Sequence, residues 1–393
     1  MTTYNFDKIT NRKGTNCLKY DFAVERGKPA DVLPLWVADM DFPVSEEITK
    51  SLHAAVEHGI YGYTQPKDAY YNAVMNWMER NHNWKTEREW IVKTPGVVFA
   101  LGAAVKAFTD PGDAILIQNP VYYPFTNIIR DNDRRVVDNT LIYEKTTGQS
   151  GDNGYRIDFE DFERKLEQEH IKLFILCNPH NPVGRVWTVE ELQQLGEICL
   201  RHHVIVVSDE IHNDFVYPGY EHTVFAKVDP RFAEFTVTCT APSKTFNLAG
   251  LQISNIFIPN EKLRKAFQTE IDKTGYDEPN ALGIVACEAA YRAGEDWLEQ
   301  LRAYLLQNLN FLREYLQKKI PQIHLVEPEG TYLVWLDCSE LGITGKELDQ
   351  FIVDKAGLWL DGGSMFGPSG AAFQRVNIAC PRATLQLALD KLK

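Results

Sequence analysis

Residues 204–212 read VIVVSDEIH: four apolar residues and a serine lead directly into two acids, an isoleucine and a histidine. A run that is apolar throughout, rather than at every second position, is typical of a strand buried on both faces of a parallel sheet. In such sheets, ligands bind beyond the carboxyl ends of the strands. The stretch therefore predicts a central strand of an α/β fold and places Asp209 where a ligand would lie.

The same pattern, an apolar strand followed by a polar or glycine-containing turn, recurs through the middle of the chain. Helical segments alternate with these strands, which predicts a mostly parallel sheet flanked by helices on both faces. The predicted strands span residues 90–93, 114–118, 172–177, 204–208 and 235–240, the last of them taken as the final strand of the sheet. The helices between them include 97–108 and 190–201. The residues that follow the strands are predicted to converge at one edge of the sheet; they are Gly96, Tyr122, Asn181, Asp209 and Lys244.

The two ends of the chain differ in character from its middle. Residues 1–35 are polar and poorly periodic, which predicts an arm, and helices are predicted at 45–58 and 68–81. After about residue 290 comes a long amphipathic helix at 297–318, followed by strands at 331–336, 358–360 and 374–378 and a helix at 345–355. We assign residues 51–289 to a large cofactor-binding domain, and residues 1–50 and 290–393 to a smaller α+β domain with its N-terminal arm.

Composition excludes several classes of function. The chain has 393 residues and a formal net charge of −13, which argues against nucleic acid or an anionic membrane surface as a partner. The seven cysteines are scattered, with no CxxC pair, as in a reduced cytosolic protein rather than a disulfide framework or zinc site. There is no apolar signal core or bilayer-length apolar run, so a soluble cytoplasmic protein is expected.

Lys244 lies in TCTAPSKTFNLAG, residues 238–250, directly after a predicted strand. A lysine at this place could form an imine with an aldehyde cofactor, provided that desolvation or nearby positive charge keeps its amine neutral. Taken alone, the segment fits a surface lysine in a loop better. The other residues at the strand ends change this balance because they suit the same cofactor.

Pyridoxal phosphate needs a lysine, an acid at its pyridine nitrogen, a donor to its phenolic oxygen, an aromatic ring against its face, and amides for its phosphate. Asp209 could supply the acid, although an aspartate after a strand is more often a helix N-cap. Asn181 could be the donor or simply a turn residue before Pro182, and Tyr122 could be the ring or ordinary core. The predicted helix that begins after Gly96 presents free N–H groups to a phosphate.

Four ordered motifs, SKTFNLAG, SDEIH, NPHNPVG and RVNIACPR, together resemble the fold-type-I pyridoxal-phosphate enzymes of the class I/II aminotransferase superfamily. The run WVADMDF, with SDEIH and SKTFN, resembles the cystathionine β-lyase branch of that superfamily, the MalY/PatB-type C–S lyases. The resemblance spans residues 35–382. Without it, residues 35–43 (LWVADMDFP) could be a buried strand and turn or a loop over an active site.

The resemblance implies a role for each matching residue. It makes Lys244 the cofactor-binding lysine, Asp209 the acid at the pyridine nitrogen and Asn181 the donor to the phenolic oxygen. The other implied cofactor contacts are His212, Tyr122, the amides of Val97 and Val98 after Gly96, and the hydroxyl of Ser243. The implied substrate contacts are Asn181, Ala38 and Arg375, the last holding the α-carboxylate in a bidentate contact unless it is a surface salt-bridge residue. Tyr63, with Tyr61 as an alternative, would reach the phosphate of a neighbouring subunit, which implies a homodimer with shared sites.

One position departs from the superfamily pattern. Gln252 stands where many aminotransferases carry a phosphate-binding arginine. The departure fits the lyase branch. The predicted function is therefore a β-eliminating C–S lyase that converts cystathionine-type or cysteine-type amino acids to a thiol, pyruvate and ammonia, with no metal. The alternatives are an aminotransferase that uses the same residues and a cofactor-binding regulator without turnover.

Overall fold

A computed structural model describes residues 2–145 and 153–393. Its α-helices are α1 (Leu18–Asp21), α2 (Glu46–His58), α3 (Asp68–His82), α4 (Val97–Phe108), α5 (Pro124–Asp131), α6 (Phe159–Gln168), α7 (Val189–Arg201), α8 (Phe225–Val228), α9 (Pro242–Thr245), α10 (Glu261–Asp272), α11 (Ala281–Ala293), α12 (Glu295–Lys319), α13 (Gly345–Ala356) and α14 (Arg382–Leu392). Its strands are β1 (Leu33–Pro34), β2 (Ile91–Thr94), β3 (Ala114–Ile117), β4 (Arg135–Asp138), β5 (Ile142–Tyr143), β6 (Tyr155–Arg156), β7 (Leu173–Cys177), β8 (Ile205–Asp209), β9 (Thr236–Thr240), β10 (Ser254–Phe257), β11 (His324–Leu325), β12 (Leu333–Asp337), β13 (Leu358–Trp359), β14 (Asp361–Gly362) and β15 (Phe373–Asn377).

A seven-stranded sheet with the order β2-β10-β9-β8-β7-β3-β4 forms the centre of the molecule. Strand β10 pairs antiparallel with both β2 and β9, and the remaining pairings are parallel. Every residue of β3, β7 and β9 is buried, as their uninterrupted apolar or threonine-rich sequences predict. The predicted mostly parallel sheet between helices is confirmed.

The prediction that residues 235–240 form the last strand of this sheet is wrong. Strand β10 follows that strand along the chain and lies between it and β2. Its sequence, SNIF, is short and half polar, so it lacks the apolar run that marks the other strands. The polar residues are buried all the same, because Ser254 bonds to Thr94 Oγ1 at 2.6 Å and Asn255 accepts from the Tyr70 hydroxyl at 2.7 Å.

A second, antiparallel sheet with the order β11-β12-β15-β14 lies in the C-terminal part of the chain. The N-terminal segment joins this part, because β1 pairs in parallel with β13. The long helix α12 buries a leucine stripe at Leu298, Leu301, Leu305, Leu309, Leu312 and Leu316. Among the helices that the structure describes, none combines the length and the apolar character needed to cross a bilayer.

The N-terminal arm and the segment that follows it are more closely packed than the sequence predicts. Phe6 is 6% exposed and the Lys19 side chain is fully buried, so the arm contributes to the core rather than lying loosely on it. Residues 35–43 form no strand, which corrects the simpler of their two interpretations. They form a loop that runs past the carboxyl edge of the large sheet and contacts Lys244 through the carbonyl of Ala38.

Candidate active site

One cavity lies at the carboxyl ends of β2, β3, β7, β8 and β9, which all point to the same edge of the large sheet. The structure brings ten of the twelve predicted site residues to its wall: Ala38, Gly96, Val97, Val98, Tyr122, Asn181, Asp209, His212, Ser243 and Lys244. The two that do not line it are Arg375, which lies directly behind Asn181, and Tyr63. The predicted convergence at the strand ends is thus what the fold produces.

Lys244 lies in α9, the single helical turn that follows β9. Its Nζ donates to the carbonyl oxygen of Ala38 at 2.9 Å. Burial lowers the pKa of Lys244 to about 8, and the nearby charge of Arg375 acts in the same direction, while Asp39 and Asp209 oppose both. A substantial fraction of the amine is therefore neutral in mildly alkaline solution, as an imine-forming lysine requires.

Asp209 is the last residue of β8 and is 4% exposed. Burial raises its pKa to about 7, against the opposing effects of a hydrogen bond from the Ile211 amide at 3.1 Å and of the charge on Lys244. The next α-helix, α8, begins only at Phe225, so the N-cap alternative does not hold. Within residues 2–145 and 153–393, Asp209 has no ion-pair partner at salt-bridge distance, and a buried carboxylate of this kind calls for a cation in the cavity.

Two thiols flank Asp209 on the neighbouring strands. Cys177 of β7 and Cys239 of β9 are both in register with it, so the three side chains share one face of the sheet. Cys177 also lines the cavity, a contact that the sequence analysis missed although the residue directly precedes NPHNPVG. Burial, with the charge of Asp209, raises the pKa of both thiols well above the usual range, so both stay neutral and add no second negative charge beside Asp209.

Arg375 is 2% exposed, so the surface salt-bridge alternative is wrong. It forms an ion pair with Asp361, and it donates to Asn181 Oδ1 and to the Trp36 carbonyl, each at 2.9 Å. Because a guanidinium can only donate, Asn181 must turn its oxygen towards Arg375, which leaves the amide NH₂ free to donate to a group in the cavity. Asp361 was not predicted, since acids on a sequence-distant strand give no local signal.

The start of α4 forms another part of the wall. Gly96 is the N-cap residue, no side chain of the described residues caps the helix, and no acid occupies its first turn. The amides of the first turn, beside the hydroxyl of Ser243, are therefore available to an anion, and the helix dipole favours one there.

His212 and Tyr122 complete the set of polar and aromatic groups. His212 is 3% exposed, its Nδ1 has no hydrogen-bond partner in the part of the chain that the structure describes, and burial lowers its pKa well below the usual value, so the ring is neutral. Tyr122 follows β3 and lies edge-on to Phe125, with ring centroids 5.9 Å apart. Tyr63, by contrast, is 96% exposed and lies away from the cavity of its own chain.

These groups fit pyridoxal phosphate. The cavity holds a lysine of lowered pKa, a buried acid in need of a cation, a free amide donor, an aromatic ring and an uncapped helix N-terminus within one wall. Among the described residues, no group of three or more His, Cys, Asp or Glu side chains could hold a metal ion.

Fold and site together define a fold-type-I pyridoxal-phosphate protein. The chain belongs to the family of class I and II aminotransferases, whose model matches residues 30–392. It is 46% identical over 389 residues to the cystathionine β-lyase PatB of Bacillus subtilis strain 168, covering 99% of each chain.

Two solved structures are also similar over nearly the whole chain. Cystalysin from Treponema denticola, which contains pyridoxal 5′-phosphate, superposes with a TM-score of 0.94 at 37% identity, covering 100% of this chain and 98% of the other. The pyridoxal-phosphate-bound C–S lyase of Staphylococcus hominis gives a TM-score of 0.91 at 35% identity, covering 100% and 97%.

Proposed function

We propose that this protein is a pyridoxal-phosphate-dependent C–S β-lyase. It cleaves amino acids with sulfur on the β carbon, of the L-cystathionine or L-cysteine type, to a thiol or sulfide, pyruvate and ammonia. The observation that carries the proposal is the 46% identity to a cystathionine β-lyase over 99% of both chains, in a protein whose Lys244 and Asp209 face one cavity.

Each residue of the cavity would contact a different part of the cofactor. Asp209 would meet the pyridine nitrogen, and Asn181 would donate to the phenolic oxygen, with His212 nearby. Tyr122 would lie against the ring. The amides of Val97 and Val98, with the Ser243 hydroxyl, would take the phosphate. When bound, the cofactor supplies an electron sink for the negative charge that develops at the substrate α carbon.

Proton transfer falls to Lys244. With a pKa of about 8, its amine is partly neutral near physiological pH and can accept the α proton of the substrate. The Ala38 carbonyl, 2.9 Å away, accepts a hydrogen bond from the same nitrogen and so fixes its direction. Arg375 would hold the α-carboxylate, and its own pairing with Asp361 keeps the guanidinium in place when no substrate is bound.

We also propose a domain organisation, an oligomeric state and a cellular compartment. The large sheet lies within residues 91–257 and the small sheet within 324–377, which supports a large domain of 51–289 and a small domain of 1–50 and 290–393. The exposed Tyr63 supports a homodimer with shared sites. All seven cysteines are free thiols, which supports the cytoplasm as the compartment, and neither nucleic acid nor a membrane is proposed as a partner.

The test is to supply L-cystathionine to the purified holoenzyme without any keto acid and to measure pyruvate. A lyase releases pyruvate continuously, whereas an aminotransferase stops after one half-reaction because it has no acceptor. Lys244→Ala should abolish the release. If pyruvate is absent and glutamate instead converts the bound cofactor to its amine form, the aminotransferase alternative, favoured by the family name, replaces the lyase. Bound cofactor with neither reaction would indicate the regulator.

A further inference from the structure

The loop formed by residues 36–42, which we call the strap, contributes Ala38 to the wall of the cavity. Its carbonyl oxygens accept hydrogen bonds from the side chains of residues on other segments of the chain, of which Lys244 lines the cavity. The Trp36 carbonyl accepts from Arg375 at 2.9 Å, and the carbonyls of Val37 and Asp39 accept from Asn377 at 2.6 Å each. The Ala38 carbonyl accepts from Lys244 at 2.9 Å and from Tyr332 at 3.0 Å. The carbonyls of Met40 and Phe42 accept from Asn247 at 3.0 Å each. The position of the strap therefore sets the position of the Lys244 amine.

The outer side of the strap is held by the N-terminal arm. Arg12 makes a bidentate contact with Asp39, at 2.6 and 3.0 Å, and reaches Asp41 at 2.8 Å. The amine of Lys19 and the hydroxyl of Tyr20 both donate to the other oxygen of Asp41, at 2.9 and 3.0 Å. Two cations thus balance two carboxylates. Because Lys19 is fully buried and Asp41 is 5% exposed, the Lys19–Asp41 pair is less weakened by solvent than surface ion pairs.

We propose that Arg12 is a positioning residue of the active site. Through Asp39 it holds the strap so that the Ala38 carbonyl receives the amine of Lys244, and it neutralises Asp39, whose charge acts on that amine. The inference rests on the proposed function, since it concerns Lys244 as the proton carrier. It gives the arm a role in catalysis that its polar sequence does not reveal.

The charges around Lys244 make this role measurable. The titratable or charged groups that face its amine are Asp39, Asp209, Arg375, His212 and the hydroxyl of Tyr332. Asp39 is one of the two that raise the pKa of Lys244. If Arg12 is removed, Asp39 loses its bidentate partner and keeps the longer ion pair with Lys19, 3.9 Å away, so the pKa of Lys244 rises. If the charge of Asp39 is removed, the same pKa falls. A merely structural contact gives no such pair of opposite shifts.

The experiment compares Arg12→Gln and Asp39→Asn with Arg313→Gln as a matched control. Arg313 makes an equivalent bidentate pair with Glu327, 2.8 Å at both oxygens, and does not touch the strap. In the full-length chain freed of cofactor, trinitrobenzenesulfonate labelling of Lys244 is followed across pH by peptide mapping. In the holoenzyme, kcat for pyruvate release, bound cofactor and thermal unfolding are measured.

We expect the midpoint of Lys244 labelling to rise in Arg12→Gln and fall in Asp39→Asn, each by about half a pH unit or more. We expect kcat to drop about tenfold in Arg12→Gln with cofactor content unchanged, and Arg313→Gln to match the wild type. Unchanged kcat and labelling in Arg12→Gln overturn the proposal. If Arg12→Gln does not fold, Asp39→Asn decides by its labelling midpoint, and Arg12→Lys, which keeps the positive charge, should leave the midpoint close to that of the wild type. Because labelling needs no turnover, its shifts remain interpretable even if the lyase assignment fails.

Discussion

At the scale of single residues, Asp209 is the clearest case of a side chain whose environment makes sense only with a cation beside it. Its pKa is raised to about 7 by burial, and the described residues give it no ion pair. Asp209→Asn keeps the shape and the acceptor for the Ile211 amide but removes the negative charge. We expect the variant to retain bound pyridoxal phosphate, because the phosphate and lysine contacts remain. Pyruvate release should fall by about a hundredfold or more, since an unprotonated ring accepts electrons poorly.

The chain offers a matched control for this change. Asp337 is also the last residue of a strand, is buried, and accepts a hydrogen bond from the amide two residues later, Ser339, at 2.9 Å. It does not line the cavity. Asp337→Asn should therefore reproduce any general cost of neutralising a buried acid at a strand end, without the loss of turnover. Near-wild-type activity in Asp209→Asn, or an equal loss in both variants, would remove Asp209 from the cofactor site.

At the scale of elements, the first turn of α4 is open to an anion. An aspartate in the first turn of a helix normally stabilises it by about 0.3–1 kcal/mol through the helix dipole. Val98→Asp should thus leave the cofactor-free protein as stable as before or slightly more so. The same carboxylate would repel the phosphate, so we expect the dissociation constant of pyridoxal phosphate to rise at least about tenfold. Fluorescence titration and thermal unfolding together measure the two effects.

Helix α14 provides the comparison, because it too has no acid in its first turn and its second residue, Ala383, is exposed. Ala383→Asp should give the same small gain in stability with no change in cofactor affinity. Equal affinities in Val98→Asp and wild type would show that the phosphate lies elsewhere.

The elements differ in how much their sequences reveal. The strands buried on both faces were predictable because their apolar runs are continuous, and α4 begins and ends where its pattern predicts. Strand β10 was missed because its buried Ser254 and Asn255 are satisfied by Thr94 and Tyr70, residues about 160 and 185 positions away. The strap could not be assigned from its sequence, because every contact that fixes it comes from a distant segment.

The residues of the active site also differ in whether the sequence predicts them. Residues at or shortly after strand ends, such as Lys244, Asp209 and Asn181, were predictable because the fold itself brings strand ends together. The residues that hold them were not. Asp361 behind Arg375 and Arg12 behind the strap lie on other elements, where an acid or an arginine has no distinctive local pattern.

At the scale of the whole molecule, the loop around Tyr63 is the feature that a single chain leaves unexplained. Tyr63 is 96% exposed, and Ile60 and Tyr61 beside it are 71% and 60% exposed. Clustered exposed apolar side chains of this kind mark an interaction surface. A second copy of the chain is the partner that would bring Tyr63 to a cavity, since it does not reach the one in its own chain.

Subunit mixing tests this arrangement. In a hybrid dimer of Lys244→Ala and Tyr63→Ala chains, one site carries both defects and the other carries neither, because Tyr63 would come from the opposite subunit. Co-refolding equal amounts of two inactive variants should therefore restore about a quarter of the wild-type pyruvate release, given random pairing. Lys244→Ala mixed with Asp209→Asn is the control: both residues belong to the same chain's cavity, so every hybrid site keeps one defect and activity stays absent. A fully active monomer in sedimentation experiments, or no recovery in the first mixture, would show that Tyr63 does not act in the cavity of a neighbouring subunit.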